Sequence, residues 1–169
     1  MTHDESIATL SEALVNELID AGRSVSIAES CTGGWIAKAL TDTRGSSQCF
    51  AYGVVSYSNG AKESLLGVNP ASLIRHGAVS AEVVKEMAVG VLNLSGADYA
   101  IAVSGIAGPD GGTDDKPVGT VWFGWAVRAN RKPALDAEMH FIEGDRETVR
   151  ARSVVLALQG IRERLRKHG

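Results

Sequence analysis

Three stretches of the chain carry residue types that can do chemistry. AESCTGGW (28–35) sets Ser30, Cys31 and Thr32 in a row before Gly33 and Gly34; YSNGAK (57–62) brings Tyr57 and Lys62; SGIAGPDGGTDDKPVG (104–119) is long and glycine-rich. The first reads as strand, tight turn, helix. That geometry aims backbone N–H groups and the positive end of a helix at whatever sits above Ser30. Two uses follow: holding a phosphate, or stabilising the oxyanion formed when Ser30 attacks a carbonyl. The plain alternative is a connection in which Thr32 caps the helix. Gly33 and Gly34 let backbone and ligand approach closely. Cys31 is the rival nucleophile, because a thiol at a helix N-terminus has a lowered pKa. No histidine stands where it would serve that thiol.

Lys62 is an ordinary exposed helix residue unless the fold buries it. A lysine held neutral by burial can take a proton from a serine hydroxyl, as a histidine does in a triad. Tyr57 closes the preceding strand and can relay that proton or orient the amine. Ser58, four residues before Lys62, is a decoy without an oxyanion turn of its own. The third stretch lacks P-loop spacing, since Gly105 and Gly108 are not followed by Gly-Lys-Ser/Thr. A loop of that length is either a surface excursion or a functional wrap, whose N–H groups suit a sugar and phosphate. The histidines, His3, His76, His140 and His168, have no partner at metal-ligand spacing. Asp98, Asp110, Asp114 and Asp115 are scattered, so neither a metal nor another cofactor is expected.

The elements that must position these residues follow from periodicity and punctuation. Ile7 to Ile19 are spaced as a helix ended by Gly22, and 24–28 alternate as a strand. A helix is expected from about Gly33 to Leu40, with Thr32 as its cap. A strand over 49–57 precedes a short helix over 59–66, closed by Gly67. Asn69-Pro70 opens another helix, and Ser80 caps a longer one to about Leu94. Strands are expected over 99–104, 118–127 and 135–142, the last two as an antiparallel hairpin. Asp145 caps the final helix. Helices before, between and after short apolar strands predict a single domain over 1–169, an α/β fold. The expected form is a three-layer α/β/α sandwich on a mixed, mostly parallel sheet of about five strands. In such sheets sites form at the carboxyl ends of the parallel strands, which is where all three loops fall.

Bulk properties narrow the partners. At 169 residues, 44% hydrophobic and 22% charged, the chain is sized and composed as one globular domain. A net charge of -3 argues against binding nucleic acid by phosphate neutralisation. The basic residues of 162–167 read as a solvated helix face. No apolar run is long enough to span a membrane, and the polar, acidic N-terminus is unlike a signal peptide. With Cys31 and Cys49 the only cysteines, both are expected reduced, and the chain cytoplasmic.

Taken together, AESCTGGWIAKALTD, YGVVSYSNGAKESLLGV, HGAVSAEVV and SGIAGPDGGTDDKPVGTVWFG resemble the CinA C-terminal domain family, in order, over roughly residues 7 to 165. That family includes nicotinamide-nucleotide amidases. The resemblance implies hydrolysis of nicotinamide mononucleotide to nicotinate mononucleotide and ammonia, in pyridine-nucleotide salvage. It also implies a metal-free serine amidase, with Ser30 as nucleophile, Lys62 as base and Tyr57 assisting. The turn from Cys31 through Thr32 and Gly33 to Gly34 would then supply oxyanion donors, and Ser104, Gly105 and Gly108 would face the ribose phosphate. Many members carry a further N-terminal molybdopterin-binding-like domain, and this chain resembles the stand-alone form. The partner expected is a small-molecule nucleotide, with pairing of two copies as is common for such domains. The competing class is a catalytically weak nucleotide-binding or regulatory module with the same pocket. Hydrolysis of a phosphate ester or anhydride would instead bring metal dependence.

Overall fold

A computed structural model describes all residues, Met1–Gly169. The elements run α1 (His3–Ala21), β1 (Val25–Glu29), α2 (Trp35–Thr41), β2 (Phe50–Val55), α3 (Asn59–Leu66), α4 (Pro70–His76) and α5 (Ala81–Ser95). β3 (Tyr99–Gly105), β4 (Thr120–Val127), β5 (Ala134–Phe141) and α6 (Arg146–His168) complete the chain. The strands form one sheet in the order β2-β1-β3-β4-β5. β1 pairs in parallel with β2 and β3, and β4 pairs antiparallel with β3 and β5. Only β4 therefore runs against the others, which is the mixed, mostly parallel five-stranded sheet expected. A turn of 3-10 helix at Ser46–Gln48 is an addition.

The caps foreseen at Ser80 and Asp145 are present, each side-chain oxygen accepting an N–H of the first turn. Ser58, the decoy, caps α3 in the same way. Thr32 is a correction. The helix begins at Trp35, its cap position is Gly34 in a left-handed conformation, and Thr32 Oγ1 is buried without a partner. The carboxylate of Glu29 does the capping instead, accepting from Ile36 N (2.9 Å) and Ala37 N (3.1 Å). A strand-terminal carboxylate reaches forward across the turn to the helix start and replaces the local hydroxyl.

The two faces of the sheet are unlike. One is covered by α1, α2 and α6 and carries large side chains: Ile27, Ile101, Val103, Phe123 and Trp125 belong to the larger core cluster. The other, under α5, carries Ala28, Ala100, Ala102 and Ala126. Small residues there let α5 lie close to the strands. Gly124 marks the closest approach, since a β-carbon on it would collide with the main-chain carbonyl of Val84. Neither backbone can retreat without breaking a hydrogen-bond ladder. Gly124→Val is therefore expected to lower the urea midpoint of unfolding by the equivalent of about 1–3 kcal/mol, an overpacking cost. A conservative Val121→Ile on the opposite face serves as the comparison.

Candidate active site

The carboxyl ends of β1, β2 and β3 converge on one cavity of about 290 Å³, near the lower end of the range for small-ligand pockets. Ser30, Cys31, Tyr57, Lys62, Ser104, Gly105 and Gly108 all line it, so the three loops singled out in the sequence meet. Thr32, Gly33 and Gly34 do not. They line a larger groove of about 1330 Å³ behind the turn, between α1, α2 and α6. That groove contains no serine or cysteine that a base could activate.

Ser30 is 8% exposed and Lys62 only 1%. Lys62 Nζ lies 3.1 Å from Ser30 Oγ, 2.8 Å from the carbonyl oxygen of Ser56 and 3.2 Å from that of Tyr57. Burial pulls the lysine's pKa below its usual value, with Cys31 opposing weakly. The geometry fits the neutral amine. Two N–H bonds donate to the two carbonyls, and the lone pair is left facing the serine hydroxyl. In the ammonium form the third N–H occupies that direction, and the charge has only neutral acceptors around it.

The turn is equally specific. Gly33 N–H donates to the Ser30 carbonyl at 3.0 Å. Because the Ser30–Cys31 peptide is planar and trans, its N–H points the opposite way. Cys31 N–H has no acceptor in the protein and belongs to a residue lining the cavity. It stands where the first oxyanion donor of a strand-to-helix nucleophile turn stands. Gly33 has a positive φ of 61°, which favours glycine, and the Arg150 guanidinium lies 3.3 Å from where a β-carbon would be, so a side chain there would also crowd the arginine that holds the turn. Across the cavity, the N–H groups of Ala107, Gly108, Asp110 and Gly111 also lack protein acceptors.

Tyr57 departs from expectation. Its side chain is 58% exposed, and its hydroxyl accepts from Arg146 Nη2 at 3.1 Å rather than meeting Lys62 or Ser30. What Tyr57 offers the amine is its carbonyl. Arg146, at the first position of α6, also donates from Nη1 to the Gly108 carbonyl at 2.7 Å, and so ties two of the loops together at the cavity mouth. Sequence reasoning missed it. A cation in the first turn opposes the helix dipole, and that mismatch was the available signal. Arg150 was missed as well: Nε donates to the Cys31 carbonyl (3.0 Å) and Nη2 to the Thr32 carbonyl (3.2 Å), holding the turn from α6. Its guanidinium also lies over the Trp35 ring, 5.6 Å from the centroid.

Nowhere do three or more His, Cys, Asp or Glu side chains gather as metal ligands would, and no helix is long and apolar enough to cross a membrane.

Fold and site together define a class: an α/β/α sandwich with a buried serine–lysine pair at the carboxyl edge of its sheet. The chain belongs to the CinA C-terminal domain family, whose model matches residues 7–165. It is 58% identical over 135 residues to "Nicotinamide-nucleotide amidohydrolase PncC" of Enterobacter agglomerans, covering 80% of each chain. It is 49% identical over 156 residues to the protein of the same name from Escherichia coli K12, covering 92% of this chain and 93% of that one. Among solved structures, a competence damage-inducible protein A from Klebsiella pneumoniae superposes with a TM-score of 0.91 at 41% identity, over 96% of this chain and 99% of that one.

The rival nucleophile can be judged on its surroundings. Cys31 is buried and unpaired, and desolvation, aided by the nearby Glu29 carboxylate, pushes its thiol up to about 11. At neutral pH it is a thiol, not a thiolate. Iodoacetamide at pH 7.5 is expected to leave Cys31 unmodified in the folded protein and to alkylate it in urea, as read by mass spectrometry. Cys31→Ala is expected to keep catalytic activity within about threefold, a change of about 0.65 kcal/mol or less.

Proposed function

We propose that the chain is a nicotinamide-nucleotide amidase. It would hydrolyse the carboxamide of nicotinamide mononucleotide to nicotinate mononucleotide and ammonia through a Ser30–Lys62 pair. The observation that carries this reading is the 3.1 Å approach of the buried Lys62 amine to Ser30 Oγ, with two carbonyls fixing the amine's other directions. The names of the close relatives support the substrate.

In the first step neutral Lys62 takes the proton of Ser30 as Oγ attacks the carboxamide carbon. The negative charge that develops on the amide oxygen is met by Cys31 N–H, a dipole already oriented by the turn. Collapse of the adduct expels ammonia, which receives its proton from Lys62. Water then enters and attacks the acyl carbon as the same amine takes its proton; the amine returns that proton to Ser30 Oγ as the ester bond breaks and the acid leaves. The pyridinium ring withdraws electrons from the amide and makes it a better electrophile than an ordinary carboxamide. Ser104, Gly105 and the unpaired N–H groups of Ala107, Gly108, Asp110 and Gly111 face the nucleotide, and Arg146 offers a cation to its phosphate. Tyr57 fixes Arg146 through its hydroxyl.

Ammonia release from nicotinamide mononucleotide tests the reading. Ser30→Ala and Lys62→Met are each expected to lower kcat by at least about 10³-fold with melting temperatures unchanged; equal, negligible release from wild type and both variants would overturn it. Since the base works neutral and its pKa is depressed, kcat/KM should rise with pH to a plateau. The midpoint of that limb should lie below the ~10.4 of an ordinary lysine.

Arg146 yields a separate expectation. Arg146→Ala should raise KM by about tenfold or more with a smaller change in kcat, as loss of uniform binding does. Nicotinamide riboside, which lacks the phosphate, should be insensitive to the same substitution.

A further inference from the structure

The outer edge of β5 leaves a full strand of backbone unpaired, and the chemistry of that edge is self-complementary. In the β4–β5 ladder, Ile142 N–H donates to the Gly119 carbonyl, just beyond the pairing of Thr120 with Phe141. Antiparallel ladders alternate, so the even-numbered residues of β5 spend their N–H and C=O groups on β4. The odd-numbered ones, Leu135, Ala137, Met139 and Phe141, turn theirs outward. Ala137 N–H accordingly finds only the carboxylate of its neighbour Asp136, at 2.8 Å. The same odd residues carry apolar side chains on the face of the sheet toward α5. Leu135, Met139 and Phe141 are 47%, 51% and 55% exposed, more than a monomer usually leaves in one row.

Edges that must stay single are normally blunted by Lys, Pro or a bulge. ALDAEMHF contains neither residue, and its pairing with β4 runs without a break in register. The other edge, β2, is shorter, six residues against eight, and is interrupted by Gly53.

We infer that two copies of the chain pair antiparallel along β5, about a twofold axis at Glu138, to make one continuous ten-stranded sheet. An axis normal to the sheet requires opposed residues to share a face, which restricts the registers, and the one centred on Glu138 uses the whole strand. It places Leu135 opposite Phe141 and Ala137 opposite Met139 of the second copy, four pairs of outward backbone groups exchanging about eight hydrogen bonds. On the other face it sets Asp136 opposite His140, an acid against a base. Glu138 meets its own copy at the axis, a repulsion that each chain offsets itself. Arg164 Nη2 lies 3.2 Å from Glu138 and 2.7 Å from Asp136, and the Arg164 guanidinium is seated on the Trp125 ring, 3.9 Å from its centroid. This edge lies away from the Ser30 cavity and stands whether or not the amidase reading does.

Analytical ultracentrifugation of the full chain tests the inference with two variants. Ala137→Pro removes one outward N–H without touching a bond to β4, a position at which an edge strand tolerates proline. Met139→Lys puts a charge in the apolar row. The wild type should sediment at about 36 kDa, twice the 17.8 kDa of one chain. Both variants should shift to monomer, with a dissociation constant raised at least about 100-fold and unchanged far-ultraviolet circular dichroism. A wild type that stays monomeric at about 100 μM overturns the pairing, as does an assembly that neither variant splits. Should Ala137→Pro not fold, Met139→Lys decides alone.

Discussion

The buried amine of Lys62 constrains everything around it. An ammonium in that position, with no carboxylate beside it, would cost several kcal/mol in lost hydration. The protein lowers the cost by supplying main-chain carbonyls for the amine's hydrogens, and burial shifts its pKa downward, toward the neutral amine. Those carbonyls belong to Ser56 and Tyr57, directly after β2, and the amine itself comes from the first turn of α3. The tight connection between strand and helix is therefore part of what holds the amine. Ser30 must arrive from β1, the parallel neighbour of β2, at the same height along the sheet. Parallel pairing of β1 with β2 brings their carboxyl ends level, Glu29 opposite Val55, and so sets serine beside lysine.

The turn after β1 shows how distant parts of the chain hold a short segment. Glu29 ties it to α2 from below and Arg150 ties its carbonyls to α6 from behind. With Ser30, Cys31 and Thr32 carbonyls all engaged, the peptide planes of the turn are fixed, and the free Cys31 N–H keeps its direction. Cys31 also contributes by burial, since its neutral side chain closes the floor of the cavity without adding charge near the amine.

The wall opposite the turn is built differently. Residues 106–119 form no strand or helix. They are anchored at both ends by β3 and β4, at one side by Arg146 on the Gly108 carbonyl, and at the other by Lys116 on the His76 carbonyl. Anchoring the loop from outside leaves its inward N–H groups unpaired and free for a ligand. A regular element there would have consumed them.

Much of this was legible in the residues themselves. Periodicity and the caps at Ser80 and Asp145 gave the helices within a few positions, and the strand–turn–helix pattern of AESCTGGW pointed to Ser30. The Ser30–Lys62 partnership was readable as two loops at one sheet edge, because parallel strands carry their sites at their carboxyl ends. Long-range hydrogen bonds were not readable. Nothing local distinguishes Glu29 from an ordinary strand-end carboxylate, Tyr57 from a proton relay, or Arg150 from a solvated helix residue, and the first-turn position of Arg146 marks it as unusual without naming its partners. Their partners lie across the fold, from 7 and 8 positions away for Glu29 to 119 for Arg150. Sequence by itself determined which atoms could react and which elements would carry them, since side-chain chemistry and backbone propensity are local. Tertiary structure alone decided that Lys62 would be dry, with its pKa lowered toward the neutral amine, and set beside Ser30, because burial belongs to the packed chain and not to any residue in it.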